Sequence, residues 1–245
     1  MRFFSLFLLY AFIQSSEIDT VITKNNYLGD WPTNNKKYIN VPDMDVKCPG
    51  EIGCECNEHN DCKNNNCEKL PRNKYCIPKK GDIFPDFKAV DQYGDVVSIY
   101  DFANQDKYIL IEMGTTWCSP CHLLANWLTF NDQEISNKRF WNDDYQLIYD
   151  LVHENKIYYI TILYEDNERN NASYETLYDW FSMYPEERIP ILADSEKFLH
   201  TWIKPTGLPA ISLLDENMKI HTFSSRGINK AFDEVLNIFN GTYEE

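Results

Sequence analysis

The sequence predicts an α/β chain, a central mixed sheet flanked by helices and preceded by a small disulfide-rich module. Three observations point there. Short apolar runs alternate with stretches of helical spacing between residues 82 and 240. Six of the eight cysteines, Cys48, Cys54, Cys56, Cys62, Cys67 and Cys76, fall within one 29-residue stretch. The remaining two, Cys118 and Cys121, follow directly on an apolar run and open a helical pattern.

Residues 1–16 read as a secretory signal. Met1-Arg2 supplies one positive charge, Phe3 to Ile13 is mostly apolar, and Gln14-Ser15-Ser16 are small or polar, with cleavage expected near Ser15 or Ser16. The run is shorter than the roughly 20 residues a bilayer span requires, and no later stretch is long and apolar enough. The expectation is an exported chain, periplasmic or extracellular, with no integral membrane segment once the signal is removed.

Residues 17–47 are polar and rich in Asn and Lys without a persistent period, which reads as a linker or loosely packed arm. The module at 48–80 has almost no aliphatic core beyond Ile52, Leu70 and Ile77, so it needs cross-links to fold. In an exported chain a dense, even set of cysteines reads as a disulfide framework, and sequence does not choose among its fifteen pairings. Zinc is the rival, but Cys54-x-Cys56 and five-residue gaps are not the usual zinc spacing, so no metal is expected. Pro78-Lys79-Lys80-Gly81 reads as a hinge into the rear domain, 81–245.

That domain begins with short strands at Phe87–Val90 and Val96–Ile99 about a Tyr93-Gly94-Asp95 turn. Tyr108–Met113 is a buried strand, ended by Gly114, and Pro120–Phe130 a helix. Between Phe130 and Asp143 lies a polar insertion that reads as a solvated loop. A helix at Asp143–Asn155 and a strand at Ile157–Tyr164 follow. A helix at Ser173–Met183 has Ser173 as a candidate N-cap. Pro209–Leu214 and Met218–Phe223 pair across Asp215-Glu216-Asn217, and Asn229–Asn240 is a final amphipathic helix stopped by Gly241.

The charge excludes one class of partner. With 38 Asp and Glu against 23 Lys and Arg, a net charge of −15, the chain lacks the basic surplus that phosphate backbones require. The chemistry sits instead at Trp117-Cys118-Ser119-Pro120-Cys121. A cysteine at a helix N-terminus meets unpaired backbone N–H groups and the positive end of the helix dipole, which favour thiolate over thiol. Two intervening residues place Cys121 one turn inside, where it can attack a mixed disulfide formed at Cys118. Pro120 suits the first turn, where its missing N–H costs little. The implied chemistry is thiol–disulfide exchange.

These stretches resemble the thioredoxin superfamily, and within it the exported TlpA/ResA-like branch. The resemblance runs over about Gly81 to Asn240. It rests on Gly81-Asp82-x-x-Pro85-Asp86-Phe87 with Asp91-x-x-Gly94, on Gly114-Thr115-Thr116-Trp117-Cys118-Ser119-Pro120-Cys121, and on Gly207-Leu208-Pro209. It implies thiol–disulfide oxidoreductase activity on protein substrates without a bound cofactor, and an unidentified redox partner. Cys118 would attack and Cys121 resolve. Pro209 matches the family's cis-proline and, with Trp117 and Leu208, would face the substrate. Glu112 stands where thioredoxin has a buried acid; a carboxyl buried there has a raised pKa and can take the proton of Cys121. The Ser-Pro dipeptide differs from the Gly-Pro of thioredoxin, so the direction of electron flow is not inherited.

Other readings are weaker. Cys118-Ser119-Pro120-Cys121-His122 also fits a covalent haem pattern with His122 as ligand, but haem needs neither the preceding strand nor Pro209. A peroxiredoxin site would need proline at Ile111. A non-enzymatic adaptor binding its partner through the Cys-rich module is the alternative from another class. His59, His153, His200 and His221 show no metal spacing, and Asn171-Ala172-Ser173 and Asn240-Gly241-Thr242 are glycosylation sequons.

Overall fold

The computed structural model describes residues 27–34, 36, 38, 41–42 and 44–240. The signal read at 1–16, the first part of the polar segment and the stop at Gly241 lie outside the described residues.

The Cys-rich module is a small hairpin of β1 (Cys67–Lys69) and β2 (Lys74–Cys76) tied by three disulfides, Cys48–Cys54, Cys56–Cys67 and Cys62–Cys76. Cys56, Cys62, Cys67 and Cys76 pack on one another as the buried centre of this module, so cystine sulfur replaces the aliphatic core the sequence lacks. Gly81 N–H donates to the Ile220 carbonyl, and Asn64 Nδ2 donates to Asp82. The segment expected to act as a hinge is therefore held by hydrogen bonds on both sides.

A second hairpin, β3 (Lys88–Val90) with β4 (Val96–Ser98), leads into the main sheet. That sheet comprises β5 (Ile109–Gly114), β6 (Tyr158–Leu163), β7 (Ile191–Ala193), β8 (Ala210–Leu214) and β9 (Ile220–Thr222). Its order is β7-β6-β5-β8-β9, with β5, β6 and β7 parallel and β8 and β9 antiparallel. The helices are α1 (Ser119–Phe130), α2 (Gln146–His153), α3 (Tyr174–Met183), α4 (Phe198–Ile203) and α5 (Asn229–Asn240). A central mixed sheet of this order, flanked by helices, is a thioredoxin-like fold.

β5 is central and buried along its whole length. Alternation sends Ile109, Ile111 and Met113 to one core and Leu110 to the other, beneath Leu124, Trp127 and Leu128 of α1 and Phe232 and Val235 of α5. Glu112 shares the parity of Leu110, so the strand period aims its carboxyl at the face that α1 covers. Both sheet edges are occupied. Asp91 bridges to Leu192 beside β7, and Ile83 bridges to Lys219 beside β9.

Two regions differ from expectation. The segment read as a linker is docked from Tyr27 onward. Trp31 is buried in the first core and its indole Nε1 donates to Asp91 Oδ2 at 2.8 Å; the Tyr27 hydroxyl donates to Asp101 Oδ2 at 2.5 Å. A Cβ on Gly29 would fall 2.2 Å from the Trp31 ring, so only glycine lets the chain close over that indole. Few apolar residues are needed because two aromatic side chains carry the burial while buried aspartates accept their polar ends. The polar insertion is exposed at residues 131–134, as expected, but it is also anchored. It forms a 3₁₀ turn at Gln133–Asn137 that buries Ile135, and Trp141 packs edge-on against Trp127 at 4.8 Å.

Replacing Trp31 with alanine is expected to lower stability by about 3 kcal/mol, the usual scale for deleting a buried aromatic. Chemical denaturation of the Trp31→Ala variant checks this; a change near zero would mean the arm is undocked in solution.

Candidate functional site

Cys118 is the N-cap of α1 and is joined to Cys121 by a disulfide. The Cys121 backbone N–H points at Cys118 Sγ, 3.2 Å away. The pair therefore sits at the positive end of α1, and one helix donor is already aimed at the sulfur that would carry negative charge after reduction. Both cysteines are buried, while Ser119 between them is exposed.

Glu112 lies beneath this pair. Its Oε2 accepts from the Tyr159 hydroxyl at 2.9 Å and from Thr161 Oγ1 at 3.1 Å, both on the neighbouring strand β6. Oε1 has no hydrogen-bond partner among the described residues. A side chain starting at Gly114 would lie 3.5 Å from both Glu112 Oε1 and Cys121 Sγ. The unpartnered oxygen and the inner sulfur thus flank one point, and the glycine at 114 leaves that point open. Burial pushes the Glu112 pKa up to about 7, against the downward pull of its two hydrogen bonds.

Pro209 enters through register. Met113 pairs with Ala210, so Pro209 falls opposite the end of β5, where the chain turns into the cysteine loop. The Leu208–Pro209 peptide is cis. Leu208 packs on the cluster that contains Cys118, Cys121 and Trp117. Two separate stretches of sequence, one from Glu112 through Gly114 to Trp117–Cys121 and the other at Leu208–Pro209, are brought to one corner.

His122 is committed elsewhere. Its Nε2 lies 2.6 Å from the Thr116 carbonyl, which can only accept, so Nε2 carries the proton; Nδ1 lies 2.8 Å from the Tyr184 hydroxyl. Neither nitrogen is free for a haem iron. His59, His153, His200 and His221 are likewise separated, each against its own partners.

Sequence reasoning did not find Glu165, Arg169 and Lys197. Glu165 Oε2 accepts from Trp117 Nε1 at 3.0 Å and Oε1 from Lys197 Nζ at 2.7 Å, while the Arg169 guanidinium lies over the Trp117 ring, 4.1 Å from its centroid. No spacing links these residues to the cysteines; only the crossover from β6 brings them there.

No protein-family model matches the chain, and a search of curated proteins finds no match. Solved structures of similar shape include the thioredoxin domain of a thiol-disulfide oxidoreductase from Bacteroides vulgatus, at 20% identity and TM-score 0.44. The match covers 66% of this chain and 98% of that one. A thiol:disulfide interchange protein from Bacteroides sp. aligns at 19% identity and TM-score 0.47, covering 68% and 93%. The pneumococcal exposed lipoprotein thioredoxin from Streptococcus pneumoniae aligns at 15% and 0.45, covering 64% and 98%.

The buried carboxyl has a measurable consequence. Its folded-state pKa is raised, so the native state holds a proton that the unfolded chain releases near 4.5. Glu112's contribution to stability is therefore fully present below that value and is expected to be lost, by about 3 kcal/mol, as pH rises from about 4.5 to 7. Glu112→Gln should flatten that part of the profile in denaturant titrations of the oxidised protein; an unchanged profile would place the titration elsewhere.

Proposed function

We propose that this chain is an exported thiol–disulfide oxidoreductase acting on protein disulfides or thiols through Cys118 and Cys121. The observation that carries the reading is a helix-capping disulfide whose inner sulfur lies near the unpartnered oxygen of a buried carboxyl, both 3.5 Å from the position of a Cβ on Gly114. Export rests on the signal pattern at 1–16 and on four disulfides among the described residues, which suit an oxidising compartment, periplasmic or extracellular.

In the reducing direction, the Cys118 thiolate attacks a substrate disulfide. One substrate sulfur leaves as thiolate and the other becomes bonded to Cys118. Cys121 then passes its proton toward Glu112 and attacks the Cys118 sulfur, which expels the second substrate thiolate. The substrate gains two electrons and the pair loses two. A thiol redox partner must restore the dithiol before the next cycle. In the oxidising direction the same steps run backwards. A carboxyl titrating near pH 7 suits this work, because it exchanges protons at either end of the cycle with little driving-force penalty. Leu208 and Pro209, with the half-buried Trp117, would flank the substrate chain.

Cys121→Ser should trap substrate as a stable mixed disulfide on Cys118, visible on non-reducing gels, and Cys118→Ser should trap nothing. An empty Cys121→Ser trap would count against enzymatic exchange. Glu112→Gln should slow release of the mixed disulfide about 100-fold near pH 7, within the range for loss of a general base. Gly114→Ala, which places a methyl between Glu112 and Cys121, should slow the same step. Rapid-quench alkylation measures both.

A further inference from the structure

The surface beside Cys118 carries charge that the redox chemistry does not use. Trp117 precedes the attacking cysteine, and its indole is fixed by a hydrogen bond to Glu165. Glu165 also pairs with Lys197, and burial notwithstanding, these donors hold its carboxyl below the usual range. Both Glu165 oxygens are thus taken, and its charge is neutralised by Lys197.

Arg169 adds to the field that lowers Glu165 but takes no direct contact with it. Its guanidinium stacks on the Trp117 ring, and among the described residues it makes no ion pair within 4 Å and no side-chain hydrogen bond. The residue is held at φ 66°, in the left-handed region that arginine seldom adopts. A tight turn imposes it: Glu165 bridges to Asn171, the Arg169 N–H donates to the Asp166 carbonyl, and Asp166 Oδ1 accepts from the Glu168 and Asn170 N–H groups. Asp166 is consumed by the turn, and Glu168 in the same turn faces Asn170 Nδ2 at 3.5 Å. The fold therefore accepts an unfavourable backbone conformation that places an exposed guanidinium, its donors without a carboxylate contact among the described residues, over the tryptophan beside Cys118.

A second guanidinium stands on the other side. The Arg226 side chain lies across Gly207, where a Cβ would meet its Cγ at 2.7 Å and its Nε at 2.8 Å. It too is exposed, without an ion pair among the described residues. Gly207 adjoins the Leu208–Pro209 stretch. Arg169 thus lies on Trp117 and Arg226 lies on Gly207, next in sequence to Leu208–Pro209, in a chain whose net charge is −15.

We propose that Arg169 and Arg226 form a carboxylate-binding subsite that selects substrate segments with acidic side chains flanking the reactive cysteine. The inference rests on the redox reading above and names its substrate class. Planar guanidinium forks suit carboxylates, and the Trp117 face keeps one fork oriented and partly shielded from water. The acidic surface elsewhere repels such a substrate, so recognition is confined to this corner and weakens with salt.

The test uses three disulfide-linked peptide substrates of one sequence, capped at both termini, with Glu, Gln or Lys on each side of the cysteine. The dithiol protein should reduce the Glu peptide with a kcat/KM about fivefold above the Gln peptide at low salt, the scale of one or two exposed charge-assisted contacts. The Lys peptide should be slowest. Arg169→Asn, whose side chain tolerates the left-handed conformation, combined with Arg226→Gln should bring the Glu-to-Gln ratio near one. Arg169→Lys should restore part of it. A wild-type ratio of one, or a ratio unchanged in the double variant while exchange persists, overturns the subsite alone. Absence of exchange with every peptide, in protein whose Cys118–Cys121 disulfide has been reduced by dithiol, overturns the redox reading and the subsite with it.

Discussion

Burial of β5 on both faces is the constraint from which the rest of the structure follows. A strand covered on both sides must be apolar at nearly every position, and Ile109 to Met113 obeys this except at Glu112. The strand period decides which layer receives that exception. Because Glu112 shares a face with Leu110, its carboxyl meets α1, the helix whose first turn holds Cys121. One substitution of parity would have sent the acid into the opposite core, against the hairpin and the docked arm. The same strand sets the register of β8, and through Met113 and Ala210 it brings Pro209 to the cysteine loop. Glu112, the Cys118–Cys121 disulfide and Pro209 are thus located by three outputs of one buried strand.

Much of this was legible in the sequence. The runs at 108–113 and 157–164, the helices beginning at Pro120 and Ser173 and the terminal helix at Asn229 fall within a residue or two of the observed elements. Their apolar periods are strong and their caps are chemically distinct. For α3, the Ser173 N–H donates to Thr176 Oγ1, a contact written into local spacing. β7 and α4 are not legible in the sequence because Ile191–Ala193 is only three residues long and α4 is a six-residue helix entered and left through Lys197 and Lys204 in left-handed conformations, its first turn capped from Asp194 rather than from the N-cap residue. The disulfide pairing was open in the sequence because six equivalent thiols differ only in what folding brings near them.

The docked arm and the insertion were misread for a common reason. Both are polar on average, and average polarity hides a few large side chains. Tyr27 and Trp31 each bury an aromatic body while a buried aspartate satisfies its polar tip, so two residues anchor a segment whose composition suggests a linker. In the insertion, Ile135 is buried and the half-buried Trp141 packs its edge against Trp127. The network of Glu165, Lys197 and Arg169 was hidden for a different reason. Its members come from the loop after β6 and the approach to α4, and only the sheet order joins them to Trp117.

The site also shows why a stable core and a reactive one are not the same object. A leucine at position 112 would satisfy β5 better than a carboxyl whose ionisation burial opposes and whose Oε1 has no partner among the described residues. The cost is contained because Tyr159 and Thr161 donate to the other oxygen, so the charged form is destabilised without being forbidden. Stronger donors would return the group toward an ordinary carboxylate, too weak a base for a thiol. Removing the two donors would leave it neutral and unable to accept a proton at all. Two hydroxyl donors and one bare oxygen hold it between those limits, near pH 7. Gly114 then keeps the space between that oxygen and Cys121 Sγ clear of side-chain atoms. The instability at this one position is confined to a few atoms near Cys121 Sγ, where the proposed proton transfer would use it.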